Sequence, residues 1–106
     1  MFETLLGLLQ ATNIPFAAYG WDHAPAGTYG VISLEGQEDS VAGDNMIHNQ
    51  SIRGSIDLFV KGISTADAQT VQNAINGVVA WRLNSIQYED DTGLVHYEWI
   101  FEQEGF

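Results

Sequence analysis

The sequence predicts one α+β domain over residues 1–106, an antiparallel or mixed β-sheet with two α-helices packed on one side and a long β-hairpin arm. Three observations lead there. Apolar residues recur at helical spacing in two separate segments, and at alternating spacing in the segments between and after them. Helix, strands, helix, strands is the order that segregates helices to one face of a largely antiparallel sheet. Finally, 106 residues suffice for one core and not for two, and 45% hydrophobic residues can fill it without cross-links, since the chain has no cysteine.

The first element is a helix over residues 1–11, where Phe2, Leu5, Leu6 and Leu9 share a stripe that Thr12-Asn13 and Pro15 bring to an end. Leu8 widens that stripe, so the helix is expected to pack on two surfaces or against a neighbouring subunit. From Pro15 to Gly30 the aromatic, Gly and Pro residues suggest a short strand and then a turn, with a strand resuming over Thr28 to Leu34. Gly36 to Asn45 holds two glycines and three acids with Val41 as its one bulky residue, the composition of a hairpin tip or arm. The next strand is the clearest. Ile52, Gly54, Ile56, Leu58 and Val60 alternate with Arg53, Ser55, Asp57, Phe59 and Lys61, which makes one face apolar and the other mixed.

Ser64 and Asp67, ahead of Ala68, Val71, Ile75 and Val78, predict a capped amphipathic helix that stops at Gly77. Two strands follow, Trp81 to Glu89 and Leu94 to Glu102, joined by the tight turn Asp90-Asp91-Thr92-Gly93. On the last strand Val95, Tyr97, Trp99 and Phe101 share one face, and Leu94, His96, Glu98, Ile100 and Glu102 the other.

Charge excludes one class of function. Arg53, Lys61 and Arg82 stand against 14 acidic residues, a net charge of −11, whereas affinity for nucleic acid comes mainly from Lys and Arg on phosphates. Motifs of catalysis do not emerge either. His23, His48 and His96 lack metal-site spacing, there is no nucleophile elbow, the glycines lack a phosphate-loop lysine, and the acid pairs fall in turns, so no catalytic, cofactor-binding or metal residue is assigned. Glu3 stands where a secretory signal needs basic residues, and the apolar run to Gln10 is too short for a membrane span, so cytoplasmic synthesis is expected.

Aromatic content points elsewhere. Three tryptophans, four tyrosines and five phenylalanines exceed the evident needs of one sheet and two helices, and aromatic residues are enriched at interfaces. Trp21 and Tyr29, beside the early turn, and Phe59, on the mixed strand face, are the candidates for contact with a partner.

In order, the segments resemble the small tail-completion proteins of long-tailed bacteriophages, which include tail terminators and head-tail joining proteins. The likeness runs through the leucine-rich first helix, Ile14-Pro15-Phe16-Ala17-Ala18-Tyr19, and Tyr29-Gly30-Val31-Ile32. It continues through Val41-Ala42-Gly43-Asp44-Asn45, Asp57-Leu58-Phe59-Val60-Lys61, a helix, and Val95-His96-Tyr97-Glu98-Trp99-Ile100-Phe101. It departs around the central strand, where those proteins often carry more lysine and this chain keeps Arg53 and Lys61.

The resemblance implies a non-enzymatic virion subunit, without cofactor, that closes a ring, typically a hexamer, on the finished tail. Its implied partners are copies of itself, the tail tube protein and the head-tail connector or neck proteins; DNA passes through without specific binding and no membrane is involved. A head-to-tail ring needs two unlike surfaces on each subunit. The arm, with Gly36, Val41, Asp44 and Asn45, is expected to supply one of them, beside Trp21, Tyr29 and Phe59. Glu38, Asp39, Asp90 and Asp91 are the acids expected to face the central hole and repel DNA. Two rival readings are an acidic inhibitor that imitates DNA, supported by the net charge, and a small enzyme whose site forms between subunits.

Overall fold

The computed structural model describes residues 1–37 and 50–106. Their elements are α1 (Phe2–Gln10), β1 (Phe16–Ala18), β2 (Tyr29–Gln37), β3 (Ser51–Lys61), α2 (Ala66–Ile75), β4 (Ala80–Glu89) and β5 (Leu94–Glu104). The strands form one sheet in the order β1-β2-β3-β5-β4. Every pair is antiparallel except β1 with β2, so the sheet is mixed and the fold is α+β.

Alternation along β3 and β5 creates the core. Ile56, Leu58 and Val60 of β3 and Tyr97, Trp99 and Phe101 of β5 point to one side, where Leu5 and Leu9 of α1 and Val71 and Ile75 of α2 close over them. Removing such side chains from water contributes roughly 1.5–3 kcal/mol each before entropy is counted, which makes this layer the main source of stability. Two glycines permit the closeness. A Cβ at Gly30 would overlap the Phe16 ring, and one at Gly54 would overlap both the Phe101 ring and the Ser33 carbonyl.

Local details differ from the pattern-based expectation in three places. β2 continues through Gly36 and Gln37, which the composition assigns to the hairpin tip, after a shift of register between Leu34 and Gly36. Thr65, not Ser64, occupies the N-cap of α2, and the Ala66 N–H donates to Ser64 Oγ at 3.3 Å. The early turn is a parallel connection: residues 19–28 carry the chain from β1 round to β2, and the Trp21 indole N–H donates to the Gly30 carbonyl at 3.0 Å. α1 packs through Leu5 and Leu9 with Phe2 and Leu6 at the margin and Leu8 exposed, and the turn Asp90-Asp91-Thr92-Gly93 falls where the sequence places it. Gly93 takes a φ of +73° and its N–H donates to Glu89 O at 2.8 Å, which closes the turn between β4 and β5.

Candidate functional site

Cross-strand register defines what the helix-free face of the sheet presents. Tyr29, Phe59 and His96 fall in one row, since Tyr29 pairs with Phe59 and Phe59 with His96. Their rings stand in a column, with centroids 4.9 and 4.3 Å apart and planes within 20° of parallel. Each is half-buried. The Phe59 ring lies between the other two and so presents its edge rather than an open face.

Carboxylates surround the end of that column. His96 Nε2 lies 2.7 Å from Asp57 Oδ1 and its Nδ1 lies 3.5 Å from Glu89 Oε2. The hydrogen bond that His96 donates to Asp57 raises the His96 pKa above its ordinary 6.5; burial opposes it, and the charges of Asp57, Glu89 and Glu98 add to the rise.

Ser55 donates from its Oγ to Asp57 Oδ2 at 3.2 Å, so a serine, an acid and a histidine meet here. The order is wrong for nucleophilic catalysis, which needs the histidine between the other two so that it can take the serine proton. Here the acid is central, and Ser55 is buried away from any substrate. Among the described residues no group of three or more His, Asp or Glu side chains is arranged to hold a metal ion, and no helix is long and apolar enough to cross a membrane. What the cluster does is fasten strands: Asp57 belongs to β3, His96 to β5 and Glu89 to β4.

The second surface lies on the edge strand β4. Asn84 sits at a break in register between Leu83 and Ser85, so Leu83 and Ile86, three residues apart, both face the helix side, opposite Trp99 and Tyr97. Tyr88 continues the row opposite Val95. α2 extends to Trp99, whose indole N–H donates to Gln72 Oε1 at 3.0 Å, and on the next strand outward Trp81 still packs against the core while the side chains after it on that face are exposed. Leu83, Ile86 and Tyr88 are accordingly 40%, 56% and 65% exposed. On the opposite face Arg82 donates to Asn84 Oδ1 at 2.6 Å, and Asn84 in turn donates to Glu98 Oε1 at 2.7 Å.

The residues singled out from sequence are distributed as follows. Tyr29 and Phe59 come together in the ring column, and Trp21 is half-buried with its N–H engaged on β2. Gly36 is exposed near the end of β2, opposite Arg53. Glu38, Asp39, Val41, Asp44 and Asn45 lie outside the described residues. Asp90 and Asp91 are exposed on the β4–β5 turn. That turn and Gln37 lie at opposite ends of the strands, because β2 and β5 run the same way while β4 and β3 run against them.

Sequence reasoning missed the exposed row on β4 and the contact between Asp57 and His96. The available signal for the row was Leu83, Ile86 and Tyr88 clustered in one predicted strand; for the contact there was none, since its partners are 39 residues apart. Comparison with protein-family models and with curated proteins returns no match.

Proposed function

We propose that this chain is a structural subunit that works by assembling with copies of itself, as a ring-forming tail-completion protein of a long-tailed bacteriophage. The observation that carries the assembly reading is the uncovered row of Leu83, Ile86 and Tyr88 on an edge strand. Edge strands in soluble proteins are normally blunted by charge, brevity or cover, and a ten-residue edge with three large apolar side chains on one face suits a protein contact. Segment order then favours the tail-completion role, with the ring, a hexamer by that likeness, held between the tail tube and the head-tail connector.

In such a ring, the exposed Asp90 and Asp91 lie on the turn at one end of the strands. The rival reading as a DNA mimic draws less support, since two carboxylates of the open face are engaged by basic side chains: Glu35 lies 3.3 Å from Arg53, and Asp57 2.7 Å from His96.

Native mass measurement of the purified chain, with electron microscopy of the same sample, tests the proposal. A closed oligomer, or rings that bind isolated tail tubes, is the expected result; a chain that stays monomeric with tail tubes present overturns it. Salt separates the rivals. Apolar association of a chain with charge −11 is strengthened by added salt, whereas docking of an acidic mimic on a basic enzyme is weakened.

A further inference from the structure

We infer that β4 of one copy runs antiparallel along the free stretch of β2 in the next copy, so that the sheet continues across a head-to-tail junction. This rests on the assembly reading above and names the surface that mates with the β4 row.

The two edges of the sheet are unlike, and among the described residues each leaves something uncovered. At the β1 edge, pairing stops at Ala18 with Ile32. Gly30 N–H donates outward to Pro15 O and Tyr19 N–H donates to the outward carbonyl of Ile32, so by alternation the N–H and C=O of Leu34 also point outward. Among the described residues, Ser33–Gln37 of β2 pairs with β3 alone. Tyr19 lies at the head of this stretch, 64% exposed, its ring 5.8 Å from that of Phe2 on the helix side.

Polarity and charge both match. Three successive antiparallel pairings place β4 antiparallel to β2; register sets Leu83 level with Ile32, which β1 already pairs, so one copy shifted sideways and staggered by about two residues along the strands, without inversion, sets β4 beside Ser33–Gln37 of the next β2 in the pairing mode of the rest of the sheet, with Leu83 on Leu34. The helix-side row Leu83, Ile86 and Tyr88 then covers Tyr19 and Leu34. On the other face Arg82, one of three strong cations in the chain, meets the neighbour's exposed Glu35. A two-fold contact of β4 with β4 would bury one apolar patch and leave the Tyr19 edge bare. The head-to-tail contact buries both, and repetition closes a ring when the rotation allows.

Two substitutions at exposed positions decide between them. Ile86→Asp blocks the β4 edge. Tyr19→Asp blocks the other, and suits the φ of +67° at that residue because Asp tolerates the left-handed region. Each variant alone is expected to lose association at least about tenfold and run as a monomer where the wild type is oligomeric. Mixed in equal amounts they should form a one-to-one dimer, since each retains the edge the other lacks. If Tyr19→Asp still dimerises alone and mixing adds nothing, the contact is two-fold and the inference is overturned while self-assembly stands. A wild-type chain that is monomeric at every concentration removes both.

Discussion

β4 and β5 are neighbours in one hairpin, with large apolar side chains facing the same way, yet their inner faces meet opposite fates. Tyr97, Trp99 and Phe101 of β5 are 6%, 0% and 0% exposed, while Leu83 and Ile86, paired directly with Trp99 and Tyr97, are exposed. The difference lies in the helices. α2 is ten residues long and reaches Trp99, and no second helix lies outside it over β4 among the described residues. Strand pattern chooses which face a side chain takes, whereas cover on that face depends on what packs above it. β4 is held instead from the opposite face, by Glu89 to His96 and by Asn84 to Glu98.

Removing one large side chain from each member of the pair is the most forceful way to break this comparison. Trp99→Ala should cost about 3–5 kcal/mol and strand Gln72 without its donor, measured by urea denaturation. Ile86→Ala, one strand away, should shift the stability of the monomeric protein by no more than about 0.5 kcal/mol. Equal losses at the two sites would mean that the β4 row is already covered within one chain.

Gly54→Ala sharpens the same contrast by crowding the covered face instead of emptying it. With Phe101 and the Ser33 carbonyl in the way, about 1–3 kcal/mol of destabilisation is expected, and a variant as stable as wild type would show that β2 and β3 yield there.

A smaller effect concerns how β4 is fastened. His96 has a folded-state pKa above the 6.5 of the unfolded chain, so the folded state binds its proton more tightly. Stability from this source is fully present below pH 6.5 and is lost as pH rises through the folded pKa. Wild-type unfolding should therefore show a decline above pH 6.5 that His96→Gln lacks, and ring-proton NMR should place the titration above 6.5. A His96 titration below that value would disprove the clamp.

Much of the fold was legible because the informative patterns are local. Strict alternation in 52–61 marked β3, Asp90-Asp91-Thr92-Gly93 marked the turn, and the stripes of Leu5 with Leu9 and of Val71 with Ile75 marked the core sides of both helices. Phe59 was legible as a residue of the mixed strand face, and register supplied its neighbours Tyr29 and His96. The bulge at Asn84 was hidden, because one extra residue flips every later side chain and nothing in Leu83-Asn84-Ser85-Ile86 announces it.

By itself the sequence determined the class of fold, the acidic surface and the two faces of each regular strand, since residue chemistry and spacing of two or 3.6 act over a few positions. Only the tertiary structure decided that β1 runs parallel to β2, that Asp57 reaches His96, and that Leu83, Ile86 and Tyr88 stand outside the helices. Those outcomes depend on which distant segments come together, and among the described residues the two helices leave most of the β4 row exposed.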